Sequence, residues 1–202
     1  PMRITRLTIL AGMAAAAALH AAPAAAQIQV TPVVGAFIPA SDLKGLRSEA
    51  EQRRVDREGT LGLGLNVEAG WLRGSLAYAT GATLNERGVQ GRDNIGDGSV
   101  LAVAADLVLR PVPRMIAQPY LIGGVGYKRQ DYSWSEDGLS APLPADRRDV
   151  ALHVGVGADI MLGGFGLMAE ITDYITRHED GGFGQHDAFA FVGLKFRVGG
   201  GR

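Results

Sequence analysis

Asp149-Val-Ala-Leu-His-Val-Gly-Val-Gly-Ala-Asp-Ile-Met-Leu162 runs through Gly163-Gly164 into Phe165-Gly-Leu-Met-Ala-Glu-Ile-Thr-Asp-Tyr174, and this stretch decides the fold. Val150, Leu152, Val154, Val156, Ala158, Ile160 and Leu162 occupy every second position, with Asp149, Ala151, His153, Gly155, Gly157, Asp159 and Met161 between them. Successive side chains of a strand point to opposite faces, so the segment has one wholly apolar face and one small or polar face. A helix would scatter both sets around its circumference. Gly163-Gly164 suits a tight turn. Beyond it, Phe165, Leu167, Ala169 and Ile171 share one face, and Met168, Glu170 and Thr172 the other. A water-soluble barrel tolerates the same alternation with its apolar face inside, so length is the better guide. Globular strands have about five or six residues, whereas a tilted bilayer-spanning strand needs about nine to eleven. Long alternating hairpins are the mark of transmembrane β-barrels.

The pattern recurs along the chain. Strands are expected over 28–38, 60–70, 71–82, 99–110, 115–128 and 188–198, with the opening hairpin supplying the other two. Pro32 cannot donate to a ladder and implies a bulge or break in the first strand. The facing of 115–128 is ambiguous. Long connections are expected at 39–59, 83–98, 129–148 and 176–186, and short ones at Gly70, Pro111 to Arg114 and Gly163-Gly164. A short solvated helix or plain loop is the expectation for Ser48 to Glu58. Even strand number with alternating long and short connections fits an all-β, eight-stranded, antiparallel up-and-down transmembrane barrel, with both termini on the short-turn, periplasmic side. No apolar run of eighteen or more residues competes as a membrane helix.

Composition narrows the class further. The 202 residues contain no Cys and carry a formal net charge of −1. That excludes a disulfide framework or cysteine metal site, and lacks the basic excess of a nucleic-acid-binding chain. Arg3 and Arg6 precede the apolar run Leu7 to Leu19, and Ala24-Ala25-Ala26 follows. The run is too short to span a bilayer as a helix, and the three parts together read as a cleavable secretory signal peptide. Residues 1–26 are therefore assigned to export and 27–202 to a single barrel domain.

Three further segments carry a family likeness: Pro119-Tyr120-Leu121-x-Gly123-Gly124-x-Gly126-Tyr127, Gly155-Val156-Gly157-Ala158-Asp159, and Ala169-Glu170-Ile171-x-Asp173-Tyr174. With them the chain resembles the small outer-membrane β-barrel family that includes the OmpA barrel domain and OmpX-like proteins. The terminal Gly193-x-x-Phe196-x-Val198 is similar to the strand signal such proteins present to the barrel assembly machinery. The resemblance implies outer-membrane localisation, lipid and the assembly machinery as partners, and loops that could meet an envelope or extracellular partner. It implies no cofactor and no one activity. The chain departs from the pattern in ending on Gly199 to Arg202 after that signal, where a full-length OmpA-type protein carries a peptidoglycan-binding domain. Aromatic content is 6%, so the interfacial girdles are thin, with Trp71, Tyr127, Phe165 and Tyr174 as candidates.

The polar face carries the chemistry. Glu68, Arg73, Asp106, Arg110, His153, Asp159, Glu170 and Lys195 are expected to point inward as a lumen charge network. An eight-stranded barrel is only wide enough for side chains to fill, and unpaired buried charges cost several kcal/mol, so a salt-bridged interior is expected. The alternatives are a narrow channel or transport barrel and a lipid-modifying enzyme. Lipid A deacylases carry His-x-Ser on a strand of such a barrel, but here the spacing gives His153-Val154-Gly155 and no nucleophile. His186-Asp187 alone does not support an omptin-like protease, and no hydrolase or zinc-protease motif occurs. His178, Glu179, Asp180, His186 and Asp187 could in principle hold a divalent metal, though a solvated loop is the expectation. Asp93 to Gly98 lacks the ligand pattern of a calcium loop. Arg at Val156 is expected to be costly on the lipid face, Ser at Gly157 cheap on the lumen face, and Ala at Glu170 to strand a base.

Overall fold

The computed structural model describes residues 28–40, 54–88, 91–112, 116–134, 146–177 and 183–198. The strands are β1 (Ile28–Pro39), β2 (Arg54–Arg57), β3 (Thr60–Ala69), β4 (Leu72–Gly88), β5 (Gly91–Leu109), β6 (Ala117–Trp134), β7 (Arg147–Leu162), β8 (Phe165–Arg177) and β9 (Phe183–Val198). β2 continues the stave of β3 after a break at Glu58-Gly59: both pair with β4, at Arg57↔Leu84 and Gly62↔Ala79 respectively. Eight staves therefore follow one another antiparallel. β9 returns to β1 and β4 joins β5, so the sheet closes on itself. A closed sheet leaves no edge along the barrel wall.

Both ends of the staves show how the sequence shapes them. Gly70-Trp71, Gly163-Gly164, the end of β5 at Leu109 and the start of β6 at Ala117 lie at one end with Ile28 and Val198; Gly163 takes φ +76°, which suits a two-residue hairpin turn. At the other end the staves run longer than the alternation implied. Residues 83–88 and 91–98 are strand, where the sequence reads as loop. β4 and β5 continue as a ribbon to Gly88↔Gly91. Most of their Gly, Asn and Asp residues pair within the ladder, such as Thr83↔Asp97, Glu86↔Asp93 and Asn85↔Asn94, with register shifts between Ala79 and Ala82 and between Leu84 and Asn85. Gly81, φ +72°, sits in the first. Arg54–Arg57 is strand, neither helix nor loop, because the ribbon offers it a ladder. β6 reaches Trp134, β7 starts at Arg147, β8 reaches Arg177 and β9 starts at Phe183, so the other two outer connections are also shorter than expected. At Pro32 the ladder to β9 lapses between Val30↔Phe196 and Val33↔Gly193 while the register is kept. That is a local break without a bulge, as the missing N–H requires.

The faces are inverted relative to a water-soluble barrel. Leu61, Val125 and Val150 are 76%, 65% and 75% exposed, whereas Asp106, His153, Lys128, Asp187 and Lys195 are nearly inaccessible. These strands do not turn their Leu, Val and Ile rows inward, as a soluble barrel with its apolar face inside would. β6, ambiguous in sequence, turns Tyr120, Ile122, Lys128 and Gln130 inward and Leu121, Val125 and Tyr127 outward. Tyr174 is a correction. It is buried inside the barrel, because it lies on the same side of β8 as Met168, Glu170 and Thr172; Trp71, Tyr127 and Phe165 stay on the outer wall. Residues 1–26, where the sequence implies an export signal, lie outside the described residues.

Candidate functional site

The barrel interior is the candidate site, and register builds it. The rung Glu68↔Arg73 continues through Arg73↔Asp106, Asp106↔Gly124, Gly124↔His153, His153↔Tyr174 and Tyr174↔Asp187. One row of paired positions thus brings acids and bases from several staves side by side.

Near the short-turn end lies a balanced cluster. Arg73 binds Glu170 through Nη1 and Glu68 through Nη2, the latter at 3.2 Å. Arg110 reaches in from the end of β5, with Nη2 2.7 Å from Glu68 Oε1 and 3.2 Å from Asp159 Oδ2. Lys195 Nζ is 2.5 Å from Asp159 Oδ2 and 3.8 Å from Glu68. Glu68, Asp159 and Glu170 face Arg73, Arg110 and Lys195, so the charges cancel. Tyr120 is the centre. Its hydroxyl donates to Glu170 Oε2 at 2.8 Å, and the Arg73 and Arg110 guanidinium carbons and Lys195 Nζ lie 4.8, 5.5 and 5.8 Å from its ring centroid. Such placements over an aromatic face are favourable for cations. Tyr120 has room because its rung partner is Gly157, where a Cβ would sit 2.4 Å from the tyrosine hydroxyl oxygen.

Above this cluster, Asp106 accepts from Ser75 Oγ at 2.8 Å through Oδ2, and its Oδ1 lies 2.7 Å from His153 Nδ1. The His153 ring stacks on Tyr174 at a centroid distance of 4.1 Å. The carboxylate separates the serine from the imidazole, so Ser75 is not presented to His153 and these three side chains do not have the order of a nucleophilic triad.

A second ionic cluster sits toward the ribbon end and is not evident in the sequence. Asp187 binds Arg57 Nη2 at 2.5 Å, Lys128 Nζ, and Gln130 Nε2 at 2.9 Å. Lys128 also donates to Thr176 Oγ1 at 3.1 Å, and Tyr132 donates to Gln130 Oε1 at 2.9 Å. Phe37, Tyr174, Phe189 and Phe191 contact one another beside it, with centroids 5.0–5.9 Å apart. Arg57 lies in a segment that reads as a loop, Asp187 at the edge of another, and Lys128 on the strand of ambiguous facing. Asp187, two residues before Phe189, is within reach once the alternation of β9 is extended backwards.

His186 leaves the expected loop for β9, where its Nδ1 lies 2.6 Å from Asp173 Oδ2 on the outer wall, away from the inward Asp187. The five-residue metal set is therefore split, with His178, Glu179 and Asp180 outside the described residues. No metal-ligand cluster forms among the described residues. The side chains of Asp93 to Ile95 also lie outside them. Of the terminal-strand residues, Phe196 and Val198 are exposed on the outer wall and Gly193 lies between β8 and β1.

With closure, strand number and inverted faces established, the chain can be set beside solved structures. It matches a major outer membrane protein from Thermus thermophilus with a TM-score of 0.52 at 15% identity, over 86% of this chain and 100% of that one. The fold is that of a small outer-membrane barrel. Also similar are Neisserial surface protein A (TM-score 0.49, 12% identity, 85% and 96% covered) and the N-terminal β-barrel domain of Pseudomonas aeruginosa OprF (0.46, 11%, 85% and 97%). No protein-family model and no curated protein sequence matches the chain.

Proposed function

We propose that this chain is an outer-membrane protein, exported by residues 1–26, whose barrel crosses the lipid as a closed, charge-paired cylinder. Its role is structural or surface-interacting, and it is not an enzyme. The observation that carries the reading is the inversion of the faces. Ionic side chains are buried inside, while Leu, Val and Ile rows stand exposed outside, an arrangement that only a hydrocarbon surrounding stabilises. The balanced cluster around Tyr120 and the ring contacts around Phe189 support a lumen closed to ions. Outer-membrane lipid is the partner of the wall, Gly193, Phe196 and Val198 face the assembly machinery during insertion, and the ribbon end is the surface available to an envelope or extracellular partner.

Two measurements test this. The protein should require detergent for extraction from an outer-membrane fraction. Reconstituted into planar bilayers, it should give no large, persistent single-channel conductance. Recovery in the soluble fraction would remove the membrane assignment, and sustained conductance would replace the closed lumen with a transport path.

A further inference from the structure

Inside the barrel, like charges are kept apart by acids, but one place on the outer wall does the opposite. Arg129 on β6 and Arg148 on β7 are direct rung partners, and both point outward. Like charges directly opposite on neighbouring strands repel. Arg177 on β8 also points outward, one position past Thr176, which pairs with Ala151. Nearby acids are engaged: Asp131 holds Arg129 through Nε at 2.8 Å, Asp146 accepts the Tyr132 N–H at 3.2 Å, and Asp173 takes His186. Arg148 has no ion-pair partner among the described residues, and the Asp131 contact leaves the terminal amino groups of Arg129 outside it.

Directly beneath, the same two strands carry only apolar outward pairs, Tyr127↔Val150 and Val125↔Leu152, all well exposed. A cationic cap thus sits on an apolar track at the ribbon end of the wall. That order, cation above hydrocarbon, matches a lipid whose phosphate lies at the interface and whose chains run down the wall. Arginine forks suit phosphate oxygens because they donate two parallel hydrogen bonds.

We propose that Arg129, Arg148 and Arg177 form a binding site for the phosphate of an anionic membrane lipid, with its acyl chain along Tyr127, Val150, Val125 and Leu152. The site rests on the membrane-spanning reading above, and the experiment separates the two. Full-length mature protein is first floated with neutral phosphatidylcholine vesicles. Failure to float overturns the membrane reading and this site with it. Floated protein is then examined by native mass spectrometry after reconstitution with phosphatidic acid in phosphatidylcholine, as wild type, Arg148→Gln, Arg177→Gln and, as a control at the other end of the barrel, Arg197→Gln. Wild type and Arg197→Gln should retain phosphatidic acid selectively. Arg148→Gln should float normally yet bind it about tenfold more weakly, the loss of a charge-assisted hydrogen bond, with Arg177→Gln weakened in the same direction. Equal retention by all four proteins overturns the proposal. So does full displacement of the lipid by millimolar inorganic phosphate, which would make the ligand free phosphate.

Discussion

The two ionic clusters inside the barrel are built on different plans. Around Tyr120, three acids meet three bases in overlapping pairs, so Arg73 and Arg110 each touch two carboxylates. Toward the ribbon, a single carboxylate, Asp187, receives Arg57, Lys128 and Gln130. Redundancy lets a charge survive the loss of one partner, whereas removing a hub takes the same carboxylate from several side chains at once. Buried ion pairs contribute little net stability while intact, but breaking one leaves a charge that the low-dielectric interior penalises. The hub should therefore be the more fragile of the two.

Asp187→Ala tests this most severely. It removes the carboxylate facing two buried cations at once, and should cost about 3–5 kcal/mol, the range for an uncompensated buried charge. Urea-driven unfolding from lipid vesicles measures it. A loss no larger than that of Glu170→Ala would abolish the distinction between hub and network.

The difference also explains what is legible in the sequence. The turn-end residues lie inside strands whose alternation is unbroken, so the parity of Glu68, Arg73, Asp106, His153, Asp159, Glu170 and Lys195 follows from their apolar neighbours. Which acid meets which base does not, because partners come from register between strands distant in sequence. Glu170 and Arg73 are 97 positions apart. The hub is hidden by composition. Arg57 follows a charged run that reads as solvated, Asp187 follows a Gly- and His-containing segment, and the strands continue through both because paired staves supply hydrogen bonds that local propensity does not. Strand existence is thus legible, and strand ends at the ribbon side are not.

The outer wall gives a reference for the scale of interior effects. Val156→Arg places a charge on the exposed apolar face and should cost about 2–4 kcal/mol if it lies near the bilayer midplane. The same vesicle unfolding assay applies, and a neutral result would remove lipid from this face. On the opposite face Gly157→Ser no longer looks cheap. Small lumen residues read as tolerant, but here the new Cβ meets Tyr120 at 2.4 Å. Overpacking should cost about 1–3 kcal/mol and disturb the centre of the balanced cluster. A wild-type unfolding midpoint would show that Tyr120 moves freely aside.

Glu170→Ala is where redundancy should be visible. Arg73 keeps Glu68 at 3.2 Å, so it is not stranded, and the expected loss is about 1–3 kcal/mol for donors left short of an acceptor. The full penalty of an isolated charge is not expected. A loss matching Asp187→Ala would mean that Glu68 cannot substitute. The variant Glu68→Ala/Glu170→Ala should then exceed the sum of the single losses, since it removes both carboxylates from Arg73. Strict additivity would argue that the two pairs act independently.

The smallest expected effect isolates what the tyrosine itself adds. Tyr120→Phe keeps the ring beneath Arg73, Arg110 and Lys195 and removes only the hydroxyl that donates to Glu170 at 2.8 Å. Glu170 retains Arg73, so no charge loses its last partner. The loss should be about 0.5–1.5 kcal/mol, that of one ordinary hydrogen bond. Tyr120→Leu, lacking the ring as well, should lose more, because the three cations then face no aromatic quadrupole and the space beside Gly157 is left underfilled. The comparison uses the midpoint and slope of urea unfolding for each variant. If Tyr120→Phe and Tyr120→Leu are equally destabilised, the ring contacts contribute nothing and the cluster is held by its ion pairs alone. If Phe is neutral and Leu is not, the tyrosine serves as a platform for cations, and its hydroxyl is incidental to the stability of the network.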